Sequence, residues 1–373
     1  MATSTLERLN TPPAQTWNYL RINDAVLEVP AIANDPARDY SASVDATPVR
    51  PDAHAGLEMG AGDAATAWLT SAATSAASRH TVRVSSDSPQ LVEVNLSAGD
   101  VTETNVELGP DAEATIVVTA SASPADAPST TGNLLRITAA RGARVTLAEL
   151  VALPDSHQHL DDVGIELGQG ASIEVRQYVL GAGTAVLGLA ANLAGARSSL
   201  TLATRYLARG RERLDLNHVV RMRGTDTRAQ VDESGVLDDD AEKTLRATID
   251  LVRGAKGAKG REQETVLVAG DGVVNKTLPV ILCDEDDVAG DHGATIGSVS
   301  QDQLSYLADR GLTEEDATEL FSSAVIDDAV LSAPTGAFRD AALAIARDLL
   351  GDQAANDLAE AEASFEPRGG DAR

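Results

Sequence analysis

Histidine and cysteine are the side chains most suited to chemistry here, and they are scarce: six and one in 373 residues. His292 lies in "VAGDHGATIG" (288–297), between an acidic run and a Gly-Ala-Thr turn. An imidazole there can ligate a metal, move a proton or hold a turn by bonding a backbone carbonyl. His157 and His159 in "DSHQHLDD" stand beside Asp155, Asp161 and Asp162. On a strand, residues two apart share a face, so both rings can reach one ion. No third soft ligand stands nearby, so a polar loop is the preferred reading. The acidic runs Asp238–Asp240 and Asp284–Asp287 offer hard oxygens without EF-hand spacing, and read as solvated turns. "RGAKGAKGRE" (253–262) lacks the Ser or Thr after Lys that a phosphate-binding loop needs, and is expected to be a hairpin tip. Cys283 follows the apolar run "LPVIL", which predicts an inert, largely buried thiol. A single cysteine excludes an internal disulfide and an all-cysteine metal site. No nucleophile elbow, zincin motif or Cys–His pair at a recognisable spacing signals an enzyme class.

The elements that must hold these residues fall into three regions by pattern. Residues 1–80 hold several prolines and an alanine-rich stretch, predicting irregular chain with a helix near 61–78. Residues 81–297 are strand-rich. "HTVRVSS", "QLVEVNL", "VTETNVEL", "ATIVVTA", "RVTLAEL", "SIEVRQYVL" and "SLTLATRYL" alternate apolar with polar residues. Alanines at the head of related strands fall at Ala114, Ala143, Ala171 and Ala196, in steps of 29, 28 and 25 residues. Strands recurring at that interval without helices between them predict stacked coils, a parallel β-helix. Low aromatic content, 3%, fits coil interiors filled by aliphatic ladders. A β-sandwich is the competing architecture. Residues 298–373 have helical spacing, with Gly311 as a C-cap and Thr313 with Asp316 as a capping box. One or two further helices follow, then a frayed tail from 366. This helical region is expected to cap the last coil, to serve as a docking module, or both.

Asp and Glu number 57 against 30 Lys and Arg, a formal charge of −27. Such a field disfavours nucleic acid and anionic membranes as partners. The cations are mostly arginine; lysine occurs only at 243, 256, 259 and 276. An acidic, lysine-poor surface suits molar salt, where the Debye length is about 3 Å and self-repulsion is screened. An acidic face for a basic partner is the rival reading. No apolar run of membrane-spanning length and no secretory leader pattern occur, so a cytoplasmic location is expected.

The block "LPVILCDEDDVAGDHGATIGSVSQDQLSYLADRGLTEEDATELF" resembles the C-terminal signature of the SufB/SufD family. The resemblance rests on Pro279, Asp287–Val288, His292–Gly293–Ala294, Gln303–Leu304, Tyr306–Leu307 and Arg310–Gly311, in order and spacing. Upstream, the His218 strand, the Gly-Val-Leu turn at 235–237 and Gln263 are similar to the family core, and "TWNYLRIN" (16–23) resembles a Trp-containing N-terminal segment. It is strong from about 200 to 325 and weak before that.

The resemblance implies a right-handed parallel β-helix with helical terminal regions, working in iron–sulfur cluster assembly as a non-catalytic scaffold. It implies pairing with a SufB-type paralogue through the β-helices, and docking of a SufC-type ABC ATPase by the C-terminal helices, with Gln303, Tyr306, Arg310 and Gly311 as candidates. No cofactor is expected to stay bound. Iron or a nascent cluster would pass through the subunit interface, with His292 as this chain's ligand opposite a SufB thiolate, and ATP would bind only the ATPase. Where SufB-type members carry a cysteine before the proline-led strand, this chain reads "AGDGVVNKTLP", and it has His-Gly-Ala where they have His-Glu-Ala. Both departures favour a SufD-type member, and Cys283 does not inherit the SufB role. A homodimeric scaffold without a cluster site is the alternative. A glycan-binding β-helix enzyme is a further one, disfavoured by the lack of aromatic platforms and paired carboxylates.

Overall fold

The computed structural model describes residues 2–31, 56–73, 78–297, 306 and 309–365. The alternating segments pair in register as parallel strands, and consecutive strands alternate between two eight-stranded sheets. One sheet holds β3 (Arg79–Val84), β5 (Val101–Leu108), β7 (Thr130–Ala139), β9 (Gln158–Leu167), β11 (Thr184–Leu193), β13 (Arg213–Met222), β15 (Glu242–Leu251) and β17 (Val274–Cys283). The other holds β4 (Gln90–Leu96), β6 (Glu113–Ser121), β8 (Arg144–Ala152), β10 (Ser172–Gly181), β12 (Ser199–Ala208), β14 (Arg228–Leu237), β16 (Lys259–Val268) and β18 (Ala289–Gly297). This is a parallel β-solenoid, and not a sandwich of antiparallel sheets.

Period-two alternation sends every second side chain inward, and in-register stacking lines them into ladders. Ile116, Leu147, Val175, Leu202 and Val231 form one such ladder across five strands. All five are buried in the main core.

One corner of each coil repeats a two-residue device. Asp111, Gly142, Gly170, Arg197, Asp226 and Gly257 all take positive φ, between 57° and 74°. The next residues, Ala112, Ala143, Ala171, Ser198, Thr227 and Ala258, are fully buried. The left-handed residue turns the chain, and the small one fits inside the bend. The sequence period therefore needs a correction at two places. Ala112 and Ser198 occupy the corner, not Ala114 and Ala196. A left-handed Arg197 carries no glycine signal, so the residue pattern drifts by two there.

"RGAKGAKGRE" is likewise a corner between coils and not a hairpin tip, because β15 and β16 lie in different sheets. Its Gly254 amide donates to Glu285 Oε2 at 2.9 Å, and its Gly257 amide donates to the Asp287 carbonyl at 2.6 Å.

Outside the solenoid, β1 (Thr3–Leu9) and β2 (Ala25–Pro30) form an antiparallel pair. The sequence shows no strand rhythm there; the pair is stabilised by packing with α1 (Asp63–Ala72) on the solenoid flank. The C-terminal helices are α2 (Glu314–Leu331) and α3 (Gly336–Phe365), the latter broken at Gly351, whose φ is 86°. The predicted capping box is present: Asp316 N–H donates to Thr313 Oγ1 at 3.1 Å, and Thr313 N–H donates to Asp316 Oδ2.

These described helices do not cover the last coil. They pack on the outer face of β6 to β14, where Val117, Ala148, Leu150, Ala152, Leu180 and Leu207 turn apolar groups outward. A flank of small and aliphatic residues seats the helices better than the polar end of the solenoid. No helix among the described residues is long and apolar enough to cross a membrane.

Candidate functional site

The polar end of the solenoid begins well inside it. The inward ladder next to the aliphatic one runs Val118, Glu149, Gln177, Thr204, Glu233, Glu264 and Ala294. Five of its seven side chains are polar, and Asn133, Asp161, His218, Lys243 and Thr277 meet it from the other sheet. An isolated buried polar group is costly, so each needs a partner. Asn133 Nδ2 donates to Asp161 Oδ1 at 2.7 Å, and Gln177 Nε2 donates to Glu149 Oε2 at 2.7 Å. Gln177 Oε1 accepts from Thr204 Oγ1 at 3.1 Å and from His218 Nε2 at 3.0 Å. His218 Nδ1 lies 3.0 Å from Glu233 Oε1. Glu264 receives Tyr206 Oη at 2.9 Å, Thr277 Oγ1 at 2.6 Å and the Lys243 ammonium.

Protonation follows from this network. His218 spends its Nε2 proton on a carbonyl oxygen, so a neutral ring presents Nδ1 as an acceptor and Glu233 must donate. Burial agrees. It pushes His218 down to about 4 and holds Glu233 well above the usual carboxyl range, with the Glu264 charge adding to the second effect. Burial also raises Glu149 to about 7, and Asp161 well above its ordinary value, with the Glu149 charge adding to the latter. The interior is therefore a chain of shared protons closed at one end by the Lys243–Glu264 ion pair.

His292 sits on β18, the final strand of its sheet, and in mid-strand. It is not the turn residue that its glycine-rich surroundings suggest. Its register partner is Glu262, and beyond Glu262 the ladder continues into Val231 and Leu202. His292 thus has the inward phase of a core residue, but no further coil covers it among the described residues, and it is exposed. Glu262 is buried at 2% exposure, and neither of its carboxylate oxygens has a hydrogen-bond partner among the described residues. Burial first, then the Glu233 and Glu264 charges, push its carboxyl up to about 8.

The other candidates are placed as follows. Cys283 is exposed, contrary to expectation, with Sγ 3.3 Å from the Glu285 carbonyl. It ends β17, the last strand of the other sheet, and no further coil covers it among the described residues. His157 ends the turn between β8 and β9, where its amide donates to the Pro154 carbonyl at 3.0 Å, while His159 lies on β9. Both are buried, and His159 is held at about 4 by desolvation. Asp162 turns outward instead, accepting from Thr66 Oγ1 and the Ala61 amide at the start of α1. No group of three metal-ligating side chains forms among the described residues. Asp239 and Asp240 are exposed turn residues, as expected of the acidic runs. Tyr306 is exposed, with the Arg310 guanidinium 3.5 Å from its ring centroid, and Gly311 has φ 81°. Gln303 lies outside the described residues.

Sequence reading missed Glu233, Glu262 and Glu264 as site residues. The available signal was phase: in "KGREQETVLV" the carboxylates Glu262 and Glu264 stand where the alternation calls for core residues.

Parallel strands stacked in two sheets around a proton-bearing interior, with His292 exposed on the last strand among the described residues, define a β-solenoid protein. The family model for the SufBD core domain of SUF-system FeS cluster assembly matches residues 92–325, and the chain belongs to this family. Similar curated proteins include the iron–sulfur cluster assembly protein SufD of Bacillus subtilis, 26% identical over 157 residues, covering 42% of this chain and 36% of that protein. A SufBD family protein of Methanocaldococcus jannaschii is 28% identical over 129 residues, covering 35% of this chain and 40% of that protein. The SufB protein of Bacillus subtilis is 31% identical over 84 residues, covering 22% of this chain and 18% of that protein. The chain thus matches well under half the length of each of these relatives.

Proposed function

We propose that this chain is a SufD-type, non-catalytic subunit of an iron–sulfur cluster assembly scaffold. A SufB-type paralogue would pair with its uncovered last coil, and a SufC-type ATPase would dock on the C-terminal helices. The observation that carries the reading is the position of His292: an inward-phase imidazole exposed on β18, which pairs only with β16 among the described residues. An edge strand offers unpaired backbone groups to a partner, and His292 lies where that partner would close over it. A neutral imidazole suits iron or a nascent cluster as cargo, and the sequence supplies no thiol at the SufB position, so the thiolate would come from the partner. Exposed Tyr306, Leu320 and Phe321, with Arg310 and Gly311, give the ATPase an apolar and cationic face to grip. ATP binding on that partner would move these helices against the solenoid and rearrange the interface. The acidic surface fits a salt-rich cytoplasm.

The test is co-purification with SufB- and SufC-type partners, followed by cluster content of the complex with wild-type and His292→Ala chains. Failure to bind either partner overturns the scaffold reading. Normal cluster content in His292→Ala removes the ligand role and leaves the subunit role standing.

A further inference from the structure

We propose that Glu262 is a second iron ligand within this chain, seating a divalent ion together with His292 on the last two rungs of the solenoid. This rests on the reading of His292 given above and adds a carboxylate to it.

Three observations converge. Glu262 and His292 are register partners on adjacent parallel strands and share the inward face. Strands lie about 4.8 Å apart, a spacing that lets an oxygen and a nitrogen each reach one ion at about 2 Å. Secondly, both Glu262 oxygens are buried without a partner among the described residues. The other carboxylates of the interior network each have one: Glu149 with Gln177, Asp161 with Asn133, Glu233 with His218, and Glu264 with Lys243, Tyr206 and Thr277. A buried carboxyl with two empty acceptors is costly to keep unless something binds it. Thirdly, the inward positions flanking His292 are Gly290 and Ala294, so no bulky side chain from β18 fills the space beside the pair.

The donor set is one carboxylate oxygen and one imidazole nitrogen, which suits Fe(II) without demanding a thiolate. The ion would take the place of the Glu262 proton, while Glu264 stays paired with Lys243. Two ligands leave open coordination positions for water or for a sulfur from the partner. Weak, incomplete binding is what a site needs when its ion is handed on.

The experiment uses the purified full chain under anaerobic conditions. Co(II) is titrated by visible absorption, and Fe(II) by its effect on the thermal midpoint. Wild type, His292→Ala, Glu262→Gln and Glu262→Asp are compared, with metal-free melting as the control. One equivalent should bind the wild type. Glu262→Gln should weaken binding by about tenfold or more, Glu262→Asp should retain part of it, and His292→Ala should abolish it. Metal-free Glu262→Gln should melt near the wild-type temperature, since an amide of the same shape replaces a carboxyl that has no hydrogen bond to lose. A structural role would lower the melting point instead. If Glu262→Gln binds as wild type while His292→Ala does not, Glu262 is no ligand and His292 stands. If both variants bind as wild type, both assignments fall. If the wild type binds nothing, the in-chain site is overturned, and His292 is judged on the complex alone.

Discussion

Tyr178 on β10 donates its hydroxyl hydrogen to Asp328 on α2 at 2.9 Å, joining strand and helix across 150 residues of chain. The same hydroxyl lies 2.8 Å from Ser332 Oγ, and the ring meets Phe338 edge-on at 5.9 Å between centroids. This one side chain pins both C-terminal helices to the flank.

Tyr178→Phe should therefore loosen the helices without harming the solenoid. The lost hydrogen bonds should cost about 1 kcal/mol. Hydrogen exchange should quicken in 314–365 and stay unchanged in β8 to β12. Equal quickening in both places would mean that the helices and the solenoid open as one unit.

The aliphatic ladder makes a larger prediction. Leu202 is fully buried, between Val175 and Val231. Leu202→Ala should cost about 2–5 kcal/mol by chemical denaturation, from lost transfer energy and the cavity left behind. Leu91 is 57% exposed, and Leu91→Ala should stay within about 0.5 kcal/mol.

The corner device predicts different outcomes at two equivalent positions. Gly170 has φ 67° with open space around its missing Cβ, so only backbone strain opposes a side chain there. Gly170→Val should cost about 1–2 kcal/mol, because a β-branched residue resists the left-handed region. Arg197 already bears that strain at φ 60°. Arg197→Gly relieves it but loosens the unfolded chain, so its net effect should be within about 1 kcal/mol. Denaturant midpoints with unchanged slopes check both.

The interior protons predict how stability varies with pH. Glu149 ionises at about 7 when folded against an ordinary 4.5, so its contribution is full below 4.5 and is lost as pH rises to 7. His218 titrates at about 4 against an ordinary 6.5, so its contribution is full above 6.5 and is lost as pH falls to 4. The two slopes oppose each other between 4.5 and 6.5. Glu149→Gln should flatten the alkaline arm up to pH 7, and His218→Gln the acid arm down to pH 4, in thermal melts across that range. An unchanged alkaline slope in Glu149→Gln would show that Glu149 ionises normally in the folded chain.

Much of this protein was legible one strand at a time. "QLVEVNL" and "VTETNVEL" coincide with β4 and β5, because alternation is a local property that burial on one face enforces. The capping box at Thr313 and Asp316 was legible for the same reason: its hydrogen bonds close within four residues. The β1–β2 pair was not legible. Its stability comes from α1 and the solenoid flank, not from its own pattern.

The sequence by itself determined the strand rhythm of the solenoid, the coil repeat, the family signature and His292 as the residue of interest. Only the tertiary structure decided what surrounds that histidine. Stacking set the register that places Glu262 beneath it, and the end of stacking left His292 and Cys283 exposed at inward-facing positions. It also gathered Glu149, His218, Glu233, Lys243 and Glu264 from separate coils into one buried network. Burial and pairing belong to neighbours about 30 residues away along the chain, and a residue's own segment carries no record of whether another coil covers it.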